Sequence, residues 1–343
     1  FGIADVDMDG RDEIVFGSMM IDDNGKGLST TGLGHGDAQH TSDFDPYRWG
    51  LEHFACNESS PSNNFRNATT SKIYYRLVGT SDDGRALCGN FTNSYPGSVA
   101  KSNGSGVIST VADKVLPNVP GFDLNFRIYW DGDLCEEILN SPGTEREAKI
   151  DKIVGNSVNR IFTSNGCKMN NWSKNNPGAT GDIIGDWREE LVLRTGDDSK
   201  LRIYTTSTPT SYRVYTLWHD HQYRQAMVWQ SIGYNQPPHV SYFLGELEGI
   251  TMPPPPLTMT GRVEVANNET IGTDLDGKHV IVCETNDMEV SISDGASPHV
   301  LTFNVPSWVQ GTTNNNNIIY HNKNQNLYIE YIFSFLLYLL HIV

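Results

Sequence analysis

Positive charge is scarce in this 343-residue chain: 25 Lys and Arg stand against 41 Asp and Glu, a formal net charge of −16. Neutralising a phosphate backbone needs a basic face, so nucleic acid is excluded as a partner. The five cysteines, Cys56, Cys88, Cys135, Cys167 and Cys283, include no CxxC pair, which removes the usual zinc framework. Their odd number leaves at least one thiol without an intrachain partner. Long apolar runs are also missing, apart from Ile332–Leu340 near the end. That run is shorter than the ~20 residues of a membrane span and has Glu330 at its start, so no membrane partner is expected. Helical periodicity is sparse throughout. No signal peptide precedes Phe1, which opens in mid-motif, and the chain is expected to lack an N-terminal portion.

What the chain does have is turns and short strands. Gly and Pro contribute 32 and 16 residues, and aromatics make up 10%. Apolar runs such as Glu13–Phe16, Leu201–Tyr204 and Met227–Trp229 are short and bounded by Gly, Asp, Asn or Pro, the pattern of an all-β protein. An acidic turn leading into a strand recurs, with Glu13, Glu52, Ser98, Glu137 and Glu190 as equivalent anchors. Their spacing is close to the ~40–50 residues of a four-stranded propeller blade; a sandwich with recurrent Asp-rich turns is the plainer alternative. Five anchors are too few for most closed rings, so residues 1–245 are expected to be the C-terminal portion of a β-propeller. Residues 246–259, with Pro253–Pro256, read as an extended linker, and 260–310 as a small accessory β-domain. The composition shifts at 311–343, an atypical tail outside the fold.

The sharpest metal signal is the loop Asp5-x-Asp7-x-Asp9-Gly10-x-Asp12-Glu13. Hard cations take six to eight oxygens, and alternate residues of a tight loop can aim side chains at one point, so Asp5, Asp7, Asp9 and Glu13 predict a calcium site. Without a cation, carboxylates this close would repel one another. A second, weaker loop offers Asp43, Asp45 and Glu52. In the cluster His35–His40, spacing alone favours a turn with a hydrogen-bonded histidine over a metal site, because imidazole is an unusual calcium ligand. Six Asn-x-Ser/Thr sequons, at Asn57, Asn67, Asn90, Asn103, Asn171 and Asn268, support secretion weakly.

Five segments in register, Ile21–Leu28, Thr31–Ala38, Asp182–Glu190, Leu201–Thr205 and Tyr234–His239, together closely resemble the rhamnogalacturonan lyases of polysaccharide lyase family eleven. The resemblance implies an eight-bladed propeller, several bound Ca²⁺ ions, an extracellular, secreted protein that is a monomer when full length, and β-elimination within pectic rhamnogalacturonan I. It raises His35 and Asp37 to calcium ligands. Removing a C5 proton beside a carboxylate needs a neutralising cation, a base and a proton donor. By similarity the reaction centre falls on two loop cations, Lys174 as base and Arg85 as neutraliser, with the roles open to exchange. Gly84 would let substrate approach Arg85 closely. Tyr234, Asn235 and Asn171 would contact sugar, the ring by stacking and the amides by reading hydroxyls. Trp172-Ser173 stand where the family pattern has small residues, and His221 where it has proline; the indole leaves endo or exo action open.

Two other classes fit parts of the pattern. A non-catalytic calcium-binding propeller for carbohydrate binding or adhesion would share the acidic turns, yet gives no reason for Arg85, Lys174 and Tyr234 to occupy the lyase positions. A glycoside hydrolase would need two carboxylates flanking the bond, and acids are plentiful.

Overall fold

The computed structural model describes residues 1–141, 143–230 and 236–246 throughout, together with the strand segments 270–273, 279–282, 290–293 and 299–304. Three four-stranded antiparallel sheets, each with its strands in sequence order, are followed along the chain by a fourth sheet of nine strands. The first holds β1 (Gly2–Ala4), β2 (Glu13–Phe16), β3 (Met19–Ile21) and β4 (Gly27–Thr30). The second holds β5 (Gln39–Ser42), β6 (Glu52–Asn57), β7 (Ser62–Asn67) and β8 (Ile73–Val78). The third holds β9 (Ala86–Gly89), β10 (Val99–Ser102), β11 (Ile108–Ser109) and β12 (Lys114–Val115). The fourth holds β13 (Phe126–Ile128), β14 (Glu137–Asn140), β15 (Glu147–Val154) and β16 (Ser157–Lys168). A fifth set, β17 (Ala179–Gly181), β18 (Glu190–Thr195) and β19 (Lys200–Thr205), joins the end of β16 through the pairs Cys167–Thr195 and Lys168–Arg194.

Tight turns set these meanders. Gly17-Ser18 joins β2 to β3 and Gly155-Asn156 joins β15 to β16, and both glycines have positive φ, 57° and 58°. Two-residue hairpins need that conformation to match strand twist, and glycine enters it without a Cβ clash.

Strand alternation then decides how the sheets stack. In β9, Ala86 and Cys88 pack with Phe54, Phe65 and Ile108, while Leu87 between them packs with Val99, Phe122 and Ile138. In β14, Ile138 belongs to that latter cluster and Leu139 to the next, with Phe126, Ile150, Phe162, Leu191 and Tyr204. Neighbouring side chains of a strand point to opposite faces, so each central sheet buries both faces, one against the sheet before it and one against the sheet after. A further cluster of Ala4, Val6, Val15, Met20, Leu51 and Ala68 joins the first sheet to the second. The core is thus a succession of separate layers.

One helix, α1 (His221–Trp229), follows the fifth set. Asp220 caps it, its carboxylate accepting from the Tyr223 amide at 3.0 Å. Met227–Trp229, expected among the short strands, instead form the last turn of this helix, whose start is fixed by the Asp220 cap. The Gln222 side-chain amide donates to the Thr41 carbonyl at 2.9 Å, and Gln230 exchanges two hydrogen bonds with the Thr180 backbone. Trp229 packs beside Phe1 with ring centroids 6.4 Å apart. The helix therefore ties the first two sheets to the fifth set. It is too short to cross a membrane, and no helix among the described residues is long and apolar enough to do so.

Beyond residue 246 the described strands are β20 (Thr270–Thr273), β21 (His279–Val282), β22 (Val290–Ser293) and β23 (His299–Asn304). They form two antiparallel pairs, and β23 also lies along β19. The rest of the expected linker and accessory domain, and the whole 311–343 tail, lie outside the described residues.

Candidate functional site

The recurrent anchors occupy one structural position. Glu13, Glu52, Glu137 and Glu190 each begin the second strand of their set, and Ser98 immediately precedes the second strand of its own. All four glutamates are buried, and each turns Oε2 back onto backbone amides of the preceding loop. Glu13 accepts from Val6 at 2.8 Å, and Glu52 from Phe44 and Asp45 at 3.0 Å each. Glu137 accepts from Trp130 at 2.8 Å, and Glu190 from Ile183 at 2.7 Å and Ile184 at 3.0 Å.

The second oxygen is where the loops fit a metal. Oε1 of Glu13, Glu52 and Glu190 is buried without a hydrogen-bond partner, as is Oδ1 of Asp43 and of Asp182. An unpaired buried carboxylate oxygen is expensive, and either protonation or a bound divalent ion offsets it. Burial, with repulsion from Asp43 and Asp45, raises the Glu52 carboxyl to about 8; burial raises Asp43 to about 6 and Asp182 to about 7.

In the first loop, ligand atoms of Asp5, Asp7 and Glu13 lie within 4.8 Å of one another, and Glu13 forms a second such group with Asp22 and Asp23. Asp9 does not join them. Its amide donates to Asp5 and Asp7, and its own Oδ1 accepts from the Arg11 amide at 2.9 Å. In this structure Asp9 shapes the turn, while Asp22 and Asp23, on the turn after β3, approach Glu13. In the second loop, Asp43, Asp45 and Glu52 form no such group, because Asp45 turns toward the Arg48 guanidinium at 3.2 Å.

His35 and Asp37, which spacing alone left as a plain turn, do converge, and Glu58 joins them. His35 Nδ1 lies 2.9 Å from Glu58 Oε2, both side chains being solvent-accessible, whereas Asp37 is buried with Oδ1 unpartnered. Gly36 permits this loop to lie against β6, since a Cβ there would sit 1.7 Å from the Cys56 carbonyl oxygen. Glu58 was missed because it stands 23 residues from His35 in sequence. His40, in the same segment, is no ligand. Burial lowers its pKa to about 3, and its ring bridges the Ala86 carbonyl at 3.0 Å and His239 at 2.9 Å.

Asp37 is also the point where both expected cations meet. Lys174 Nζ lies 2.6 Å from Asp37 Oδ2, and Arg85 Nη1 donates to the Asp37 carbonyl at 3.2 Å. Arg85 Nε further donates to Asn125 Oδ1 at 2.7 Å and Nη2 to the Asn125 carbonyl at 3.2 Å. The side chain of Asn125 in turn donates to the Ser173 carbonyl at 3.3 Å. These groups come from one structural position. Asp37, Arg85, Asn125 and Lys174 lie on the segments leading into β5, β9, β13 and β17, the first strands of four successive sets. Arg85, expected as a loop cation that substrate approaches closely, is buried, while the Lys174 side chain remains 19% exposed.

The Lys174 loop is built from strained turns. Asn171, Trp172 and Asn175 all have positive φ, 58°, 48° and 45°, around a one-turn 3-10 segment, Trp172–Lys174. Asn and Asp tolerate that region better than most residues, but tryptophan does not. The Asn171 side-chain amide donates to Asn176 Oδ1 at 2.7 Å, and Asn170 and Asn176 bridge through their backbones. Trp172 is 76% exposed, with the Arg146 guanidinium 3.9 Å from its ring centroid. Tyr234 and Asn235 lie outside the described residues. Two sequon asparagines, Asn57 and Asn90, are buried and engaged in hydrogen bonds.

This geometry has known counterparts. Residues 1–256 match the model of the C-terminal domain of rhamnogalacturonan lyase family 11. Rhamnogalacturonan endolyase YesW of Bacillus subtilis is 48% identical over 247 residues, covering 71% of this chain and 39% of that protein. Rhamnogalacturonan exolyase YesX of the same species is 40% identical over 269 residues, 74% of this chain and 44% of that protein. The crystal structure of YesW superimposes with a TM-score of 0.68 at 45% identity, over 74% of this chain and 43% of that one. A Bacillus licheniformis rhamnogalacturonan lyase gives 0.67 at 43% identity, over 74% and 42%. The chain thus spans about two fifths of the length of the curated relatives it matches. With more than half its residues inside the family model and identities well above 30%, the chain belongs to rhamnogalacturonan lyase family 11.

Proposed function

We propose that this chain carries a reaction centre of a secreted rhamnogalacturonan lyase, which opens the rhamnose–galacturonate backbone of pectin by calcium-dependent β-elimination. The observation that carries the reading is the meeting of Lys174 and Arg85 at Asp37, beside His35 and Glu58. Two cations and a ligand cluster at one partly open spot suit a uronate, which brings its own negative charge to a protein of net charge −16. The curated relatives include both an endolyase and an exolyase of this substrate.

In the reaction, a base takes the C5 proton, the C5–H electron pair forms the C4–C5 double bond, and the C4–O bond breaks as its oxygen gains a proton. A guanidinium stays protonated at any working pH, so Arg85 is unsuited to the base role. Its hydrogen bonds hold Asp37 and Asn125, and its charge favours a nearby carboxylate. Lys174 is the cation with access to solvent, and its amine takes the proton in this reading. A calcium ion bound at His35, Asp37 and Glu58 would supply the charge that neutralises the uronate and would draw Asp37 away from the ammonium. In this reading Asn171 reads hydroxyls and the exposed face of Trp172 stacks on a sugar ring.

For the architecture, we read residues 1–245 as consecutive blades of an eight-bladed propeller, with 260–310 as an accessory β-domain. The serial sheets, three of them four-stranded and each packed on the next, support it. The acidic loops at Glu13, Glu52 and Glu190 hold calcium in this reading, and the complete protein acts as an extracellular monomer.

The test is the product. A chain completed to the length of its relatives and given rhamnogalacturonan should release an ultraviolet-absorbing unsaturated uronide, and chelation should stop it. Reducing ends that form without the new absorbance would mean hydrolysis, and binding without cleavage would mean an adhesion module.

A further inference from the structure

The four anchor glutamates share a strand position and the same backbone contacts, but their surroundings differ in one respect. Oε1 is orphaned in Glu13, Glu52 and Glu190. In Glu137 it is not: the Lys152 ammonium lies 3.0 Å from Glu137 Oε1, 2.7 Å from Asp133 Oδ2, and against Asp131 Oδ2. Those three carboxylates, from the fourth sheet's acidic loop, have ligand atoms within 4.8 Å of one another, as Asp5, Asp7 and Glu13 do. In this loop a positive charge already sits among them.

Sheet register explains where it comes from. Ile138 pairs with Asp151 across β14 and β15, so the antiparallel ladder sets Lys152 beside Glu137. The same step of the ladder sets Asp22 beside Glu13, because Ile14 pairs with Ile21. It pairs Glu52 with Asn67, and it sets Thr205 beside Glu190, because Leu191 pairs with Tyr204. At this register position the other three ladders carry an Asp, an Asn and a Thr: Asp22 joins the ligand group of Glu13, while Asn67 Oδ1 accepts from the Thr70 amide and hydroxyl at 2.8 Å each. The fourth presents an ammonium.

We propose that the Asp131/Asp133/Glu137 loop is a cation site occupied by the chain's own Lys152 instead of a metal ion. A divalent ion and an ammonium both neutralise converging carboxylates, but the ammonium is covalently tethered and indifferent to chelators. The fourth loop is consequently an acidic loop whose order is independent of calcium. The inference rests on the calcium reading of the other loops, and it adds that replacing Lys152 by an oxygen donor restores a metal site. The smallest such change is Lys152→Asn, which copies the residue beside Glu52.

The experiment counts tightly held calcium ions on the full chain by native mass spectrometry, for the unmodified protein, Lys152→Asn and Asp131→Asn. Lys152→Asn should hold one ion more than the unmodified protein, and its melting temperature should become more sensitive to chelator. Asp131→Asn, with Lys152 in place, should leave the count unchanged. A folded Lys152→Asn chain with an unchanged count overturns the proposal. If that variant fails to fold, Asp131→Asn decides: a count lower by one means the loop held calcium all along. An unmodified chain that holds no ions would sink the calcium reading of the other loops. Even then, the appearance of one ion in Lys152→Asn would support the role of Lys152, and its absence would count against it.

Discussion

Stripping divalent ions should destabilise this protein more at pH 8 than at pH 5.5, and the acidic loops give both the sign and the size. Without an ion, burial holds Glu52 up to about 8, Asp182 to about 7 and Asp43 to about 6, against ordinary values of 4.5, 3.8 and 3.8. The folded, ion-free chain keeps protons that the unfolded chain releases near pH 4. The contribution of these groups is therefore fully present below pH 4 and is lost as pH rises toward 8, because folding must either retain the protons or bury bare charge. A bound cation favours the ionised carboxylates and removes that loss. For Glu52 the gap corresponds to about 4–5 kcal/mol as an upper bound, and roughly 3 kcal/mol is a fair working figure for one loop. In a domain of ~250 residues, 1 kcal/mol shifts the melting temperature by about 2–4 °C, so chelation at pH 8 should lower it by roughly 10 °C. At pH 5.5 the shift should be clearly smaller. Glu52→Gln should raise the melting temperature of the ion-free chain at pH 8 and flatten its pH dependence. Calorimetry with and without chelator across this range is the assay. Coincident melts at pH 8, or a gap that shrinks as pH rises, would refute the reasoning.

Two further perturbations follow from buried groups. Arg127 is fully buried between Glu189, at 2.6 Å, and Glu136, at 3.1 Å; Arg127→Met should lower stability by about 3–5 kcal/mol in denaturant titrations, because two carboxylates lose their partner. Adding Glu136→Gln and Glu189→Gln should recover much of that loss, and no recovery would locate the damage elsewhere. Gly36→Ala should displace the His35–Asp37 loop from β6, since the added carbon meets backbone that has no flexible end to move; activity should fall sharply in a chain completed to family length, and an active variant would show that the loop tolerates the shift.

How much of this was visible in the sequence depends on how far apart the partners stand. The anchors Glu13, Glu52, Glu137 and Glu190 were legible because the acidic turn and the strand it feeds are contiguous. The all-β reading came from the same local pattern. Pairings across a ladder or between sheets were not legible, because register is set by packing rather than by neighbours in sequence. Asp22 beside Glu13, Lys152 beside Glu137 and Glu58 beside His35 all belong to this class. Arg85 shows the converse: its Asp-Gly neighbours read as a loop that substrate approaches closely, but the segment runs straight into β9 and the side chain is buried under Asn125. Asp9 was placed among the ligands by spacing, yet its backbone and carboxylate serve the turn itself, a role short Asp side chains often take.

The central claim is that Lys174, with Asp37 drawn to the cation, takes the proton as a neutral amine. It is tested most directly by the turnover of Lys174→Ala and Lys174→Arg at saturating rhamnogalacturonan, read as unsaturated product in a chain completed to family length. Losing a general base should reduce kcat by roughly 10²–10⁴ in both variants with little change in KM, because arginine keeps the charge but cannot accept the proton. A kcat within a fewfold of the unmodified enzyme, or full rescue by arginine, would contradict it.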